Sequence, residues 1–145
     1  MQFARKYRKR IWAVKNAKYL YAFYNLFIST LRKVRFVVRY IPITPIEKIV
    51  KETLFDCKMC GNCILSSTGM SCPMNCPKDI RNGPCGGVRE DGGCEVIPDM
   101  PCVWVLAYKG NINMNNYENN FQSPLEHTQI GSSSWLKEIE KCIDK

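Results

Sequence analysis

The sequence predicts a small metal-stapled, loop-rich domain with few short helices, preceded by a long N-terminal helical arm and followed by a short C-terminal helix. Three observations predict it. Eight of the nine cysteines fall between residues 57 and 102. That stretch, Asp56 to Pro101, is dominated by Gly, Pro and Cys and has few aliphatic residues, so it needs disulfides or metals as staples. Ahead of it, Phe3 to Tyr40 has no Gly or Pro and repeats apolar residues at helical spacing.

The arm occupies residues 1–41. Leu20, Phe23, Phe27, Leu31, Val34 and Val38 follow the i, i+3, i+4, i+7 rhythm of one helix face. Pro42 and Pro45 stop the pattern. The chain carries a net charge of +8, and residues 1–40 hold eleven Lys or Arg with no acid, so the whole basic excess belongs to the arm. Its apolar run, Tyr19 to Ile28, is too short to span a bilayer, and basic residues flank it without a small-residue cleavage site. A cytoplasmic, reducing location is therefore expected. The wide apolar face suits packing on the rest of the chain or on a partner. Peripheral contact of residues 1–40 with an anionic membrane surface is the second option. Nucleic acid is disfavoured, because the aromatics sit in the apolar centre and the charges at the ends.

The central unit spans residues 44–108. Thr44, Pro45 and Glu47 have the form of an N-cap, first helical residue and capping box, followed by an apolar stripe of Ile46, Ile49, Val50 and Leu54. That helix delivers the chain to the cysteines. Asn82-Gly83-Pro84, Gly86-Gly87 and Gly92-Gly93 mark turns. Val103 to Tyr108 is apolar but too short to assign. Residues 109–145 form a polar, Asn-rich tail that ends in a short helix capped near Ser134, with Trp135, Ile139 and Cys142 on one face.

The cysteines read Cys57-x-x-Cys60-x-x-Cys63, Cys72-Pro73, Cys76-Pro77, Cys85-Gly-Gly, Cys94 and Cys102. The first three have the spacing with which short loops wrap a four-iron cluster, whose fourth ligand is a remote Cys followed by Pro. Both Cys72 and Cys76 meet that description. Eight thiolates supply two [4Fe–4S] clusters, which is the leading reading. Two four-Cys zinc sites are the alternative, in a structural module that docks on an enzyme or a nucleic acid. A disulfide framework ranks third, since it needs an oxidising compartment. Spacing does not say which four cysteines share a centre. Lys58, Lys78, Arg81 and Arg89 are available to offset thiolate charge, and Cys142 reads as a buried inert thiol.

The strings Cys57-Lys-Met-Cys-Gly-Asn-Cys, Ser71-Cys-Pro-Met-Asn-Cys-Pro-Lys, Arg81-Asn-Gly-Pro-Cys-Gly-Gly, Gly93-Cys-Glu-Val and Cys102-Val-Trp resemble the methylenetetrahydrofolate reductase C-terminal domain family over about residues 46–108. In some bacteria that domain is a separate small subunit. The resemblance implies a flavin-containing reductase subunit as partner, with electrons passing through clusters on this chain to the flavin. It carries over only the eight cysteines, as ligands. The chain has no Gly-rich dinucleotide fingerprint and no barrel pattern, so catalysis is expected on the other polypeptide. Glu90, Asp91, Glu95, Asp99 and the single histidine, His127, read as solvated surface.

Overall fold

The computed structural model describes residues 2–34, 42–115 and 126–140, with side chains from Tyr7 onward. These residues form five α-helices: α1 Gln2–Lys15, α2 Ala17–Lys33, α3 Ile43–Phe55, α4 Val103–Met114 and α5 Ser134–Glu140. Single 3-10 turns lie at Pro73–Asn75 and His127–Gln129. No strand occurs among the described residues, only an isolated antiparallel bridge between Gly93 and Pro101. The domain is thus small, as expected, but mostly helical outside the cysteine loops.

The arm is helical but interrupted at Asn16. Asn16 separates α1 from α2, and its side-chain amide donates to the Trp12 carbonyl at 2.9 Å. An Asn amide that competes for a backbone acceptor weakens the ladder at that point. The hydrogen bonds from Asn16 to Trp12 and from Leu20 to Asn16 still cross the junction, so the two helices stay linked end to end. The buried stripe differs from the expected one. Ala13, Ala17 and Ile28 are buried, with Leu20, Tyr24, Phe27 and Leu31 packed beside them, whereas Phe23 is 67% exposed. The small residues win because they let the arm lie close to Phe55, Leu65, Met70 and Cys72. Val38 lies outside the described residues.

Helix α3 begins at Ile43, one residue before the expected cap, and no side chain caps it. It also turns the opposite face inward. Ile43, Glu47, Lys51 and Phe55 are buried, while Ile46, Ile49 and Val50 are exposed. The inversion follows from Glu47, whose carboxylate finds partners inside the fold instead of at its own helix end. A groove of about 260 Å³ remains between α2 and α3, lined by Phe23, Tyr24, Phe27, Ile46, Val50 and Leu54. Cys63 and Lys51 also line it.

The unassigned segment after Cys102 is helical and runs to Met114, into the stretch expected to be a polar, Asn-rich tail. The reason is tertiary. Gly110 lies so close to Gly69 that a Cβ on Gly110 would stand 2.0 Å from the Gly69 carbonyl oxygen. Asn111 donates to the Ser67 carbonyl at 2.9 Å and Asn113 to the Val14 carbonyl at 3.0 Å. Two of the asparagines that suggested a polar arm thus fasten the helix to its neighbours. Helix α5 stands where expected. Ser133 accepts from the Leu136 N–H at 3.2 Å as its cap, and Trp135 and Ile139 are buried. Trp135 meets Phe27 edge to face, with ring centroids 4.8 Å apart. Cys142 lies outside the described residues.

Candidate metal centre

The eight cysteines separate into two groups of four. Cys57, Cys60, Cys63 and Cys72 line one small cavity. Cys76, Cys85, Cys94 and Cys102 line another. The two Cys-Pro candidates are divided between them, Cys72 to the first and Cys76 to the second. The turn Pro73–Asn75 is the spacer, and it is fixed where the Asn75 amide donates to the Phe55 carbonyl at 3.0 Å. All eight are free thiols.

The first group is built on the end of α3. Asp56 takes the left-handed conformation that terminates the helix, φ 52°, and the Cys57 N–H bonds back to the Lys51 carbonyl at 3.3 Å. This is the closing geometry of a helix end normally taken by glycine. Arg10 of α1 holds Asp56 through its Nε at 2.8 Å. The chain then curls through Met59 and Gly61, both at positive φ. At Gly61 a Cβ would fall 2.0 Å from the Gln129 carbonyl oxygen, so only glycine lets the tail approach the loop. The tail clasps this loop further. Lys137 donates to the Gly61 carbonyl at 2.9 Å, and the Gly131 N–H to the Met59 carbonyl at 2.8 Å.

Backbone N–H groups aim at three of these sulfurs: Met59 at Cys57 at 3.3 Å, Leu65 at Cys63 and Met74 at Cys72. Such donors favour thiolate over thiol and tune a bound centre. The hydrogen bond from Cys72, with that from Met59, pulls the Cys57 thiol down to about 6. Its partner Cys72 is pushed well above the ordinary thiol value by the same contact and by burial. Burial also raises Cys63, against the opposing charge of Lys51.

Two buried cations face the first cavity. Arg81, 8% exposed, donates through Nη1 to the Cys60 sulfur at 3.3 Å and through Nη2 to the Asn62 carbonyl at 2.7 Å. Its Nε is buried with no acceptor. Lys51 is paired with Glu47 at 2.5 Å, and both are almost completely buried. Burial pushes Glu47 up, but the ammonium and the hydroxyls of Ser133 and Ser134 outweigh it and hold the carboxyl below its usual range. Lys51 is raised, because the Cys63 and Glu47 charges outweigh burial. Glu47 also accepts the N–H groups of Ser134 and Trp135, each at 3.3 Å, and so ties α3 to the start of α5. Sequence reasoning singles out Glu47 only as a capping-box residue and misses Lys51. The signal present is the i, i+4 acid–base spacing of Glu47 and Lys51 on one helix.

The second group sits on the looped segment that begins at Cys76 and at the start of α4. The Gly93–Pro101 bridge sets Cys94 and Cys102 near each other, with the Cys94 N–H on the Met100 carbonyl at 2.8 Å and the Cys102 N–H on the Gly92 carbonyl at 2.9 Å. Tyr7 of α1 packs against Cys94, Met100 and Val103, and Trp104 against Cys102. The charged residues here lie at the surface. Lys78 pairs with Glu95, which also accepts from the Cys85 thiol at 3.7 Å. Arg89 pairs with Asp91, whose carboxyl is held down to about 2 by that guanidinium and by the Gly93 N–H. Of the four cations expected to offset thiolate charge, Arg81 alone is buried against a cysteine, and Lys58 is exposed. Glu90, Asp99 and His127 are exposed.

The donor sets suit a soft metal centre. Each is four sulfurs in a loop-built cavity, and thiolates select zinc or iron–sulfur clusters. No three ligating side chains among the described residues stand close enough to hold a single metal ion as they are. The orphaned Arg81 Nε is a donor in the first cavity that an inorganic sulfide could accept. A four-iron cluster brings such sulfides, whereas a zinc ion brings none. The four-sulfur donor sets fit a soft metal centre, and the unpaired Arg81 Nε leaves room for an acceptor in the first.

No described helix is long and apolar enough to cross a membrane. No curated protein and no solved structure matches the chain. The family model described as methylene-tetrahydrofolate reductase C terminal matches residues 41–130, more than half of the chain and all eight clustered cysteines. The chain belongs to the methylenetetrahydrofolate reductase C-terminal family.

Proposed function

We propose that this chain is an iron–sulfur accessory subunit of a flavin-dependent methylenetetrahydrofolate reductase, carrying two [4Fe–4S] clusters that relay electrons toward the flavin of its partner. The observation that carries the reading is the division of the cysteines into two sets of four, each lining its own cavity. Cys57, Cys60, Cys63 and Cys72 would hold one cluster, and Cys76, Cys85, Cys94 and Cys102 the other. The clusters would supply one-electron transfer. The chain's own residues do the rest: backbone N–H groups and Arg81 neutralise sulfur charge, while α1, α2 and the C-terminal segment shield the loops from water.

Membership of the family supports the partner, a flavin-containing reductase subunit in one-carbon metabolism. The exposed apolar strip of Phe23, Leu26, Ile46 and Ile49 is the surface we assign to that subunit. It borders the groove that Cys63 lines, so a subunit seated there faces the first cavity. A basic arm with no acid between residues 1 and 40 calls for an acidic rim on the partner. A cytoplasmic setting keeps the thiols reduced.

The test is anaerobic purification with metal and sulfide analysis. The reading expects a brown protein with roughly eight iron and eight sulfide per chain by ligand count, and co-purification of a flavoprotein. A colourless protein with about two zinc, the ligand count for tetrahedral sites, would overturn it.

A further inference from the structure

We infer that Arg81 sets the first centre at a higher reduction potential than the second, so that an electron on the second centre moves to the first. The inference rests on the iron–sulfur reading above and adds a direction to it. Reducing a cluster adds one negative charge, and a fixed positive charge in a low-dielectric site favours that state. Arg81 is such a charge. It is 8% exposed, its Nη1 lies 3.3 Å from the Cys60 sulfur, and no acid pairs with it among the described residues. The other buried cation of this cavity, Lys51, is cancelled by Glu47 at 2.5 Å. The first cavity thus holds one net buried positive charge.

The second cavity has no such net charge. Its one lysine, Lys78, is matched by Glu95, both at the surface, and the Glu95 carboxylate faces the Cys85 sulfur at 3.7 Å. A carboxylate beside a sulfur opposes added negative charge. Three backbone N–H donors to sulfur in the first set act in the same direction as Arg81. In the transfer the second centre is oxidised by one electron and the first reduced by one; no bond forms or breaks and no proton moves. Arg81 is a positioning residue in this scheme, acting through charge and not through contact with a substrate.

Redox titration of the anaerobically purified protein, followed by electron paramagnetic resonance, tests it. Wild type shows two resolved one-electron transitions. Arg81→Met weakens the reduction equilibrium of the higher-potential centre at least tenfold, which is about 59 mV for one electron, and leaves the lower one in place. Arg81→Lys, which keeps the charge, restores most of the difference and serves if the Met variant loses iron. Coincident wild-type transitions overturn the inference, as does an equal shift of both centres or no shift in Arg81→Met. Those outcomes leave the iron–sulfur reading intact. Wild-type protein without iron removes both.

Discussion

Replacing Glu47 with methionine removes the carboxylate that faces the buried Lys51 ammonium at 2.5 Å. The methionine keeps the side-chain bulk, so the main effect is electrostatic. Lys51 is left almost fully buried, facing the Ser134 hydroxyl 2.6 Å away and the Trp135 ring 5.4 Å away. Removing one partner of a buried ion pair costs about 3–5 kcal/mol, because the other charge stays desolvated. The N–H groups of Ser134 and Trp135 lose their acceptor at the same time. With a urea slope of about 2 kcal/mol/M, the unfolding midpoint falls by about 1.5–2.5 M. Lys51→Met costs less, since Glu47 keeps the donors of Ser133, Ser134 and Trp135. The double variant Glu47→Met/Lys51→Met recovers at least half of the loss, because replacing both charges with apolar side chains is often neutral. Urea unfolding of the four proteins measures the coupling. A Glu47→Met midpoint within experimental error of wild type, or a double variant no better than Glu47→Met, refutes the reasoning.

The same pair fixes a pH range. Glu47 is lowered, so its contribution is present above the unfolded carboxyl value of about 4.3 and is lost as pH falls through the folded value. Lys51 is raised, so its contribution is present below about 10.4 and is lost as pH rises through the folded value. Urea midpoints should therefore be flat between about pH 5 and 10 for this pair, and Glu47→Met/Lys51→Met should reduce the fall at both ends. Gly110→Ala forces the α4 backbone away from Gly69 and should destabilise by about 1–3 kcal/mol, read as a lower melting temperature; an unchanged value contradicts the close approach. Tyr7→Ala opens a hole beside Cys94, Met100 and Val103 and should cost about 3 kcal/mol. It should weaken metal retention by the second set before the first; equal loss from both would contradict the packing.

The helices at either end were legible in their rough extent, because a run without Gly or Pro and a Ser-rich start before Trp135 are local signals. Their inward faces were less so. In α2 the large residues carry the apolar rhythm, yet the arm approaches the loops through Ala13 and Ala17, a choice that only the opposing surface of Phe55 and Met70 decides. In α3 the capping-box pattern at Thr44 and Glu47 pointed to a local partner. The carboxylate instead reaches serines more than eighty positions away, and that long-range bond turns Ile46 and Ile49 outward. Helix α4 was hidden by Gly110 and the asparagines, which serve close packing and bonds to carbonyls rather than chain flexibility. In the site, cysteine identity was plain from spacing and count. Their division into sets was not, since Cys72-Pro73 and Cys76-Pro77 have the same local form and only the path of the chain past Asn75 separates them. Arg81 stood in the sequence as one of four candidate cations; its burial against Cys60 follows from folding alone.

The central claim is that two independent four-sulfur centres occupy the two cavities. Iron content of Cys60→Ser and Cys94→Ser, prepared anaerobically beside wild type, tests it most directly. The account predicts that each single variant keeps about half of the wild-type iron, roughly one four-iron cluster, and that the pair combined keeps none. Retention of the full wild-type iron by either single variant would contradict it.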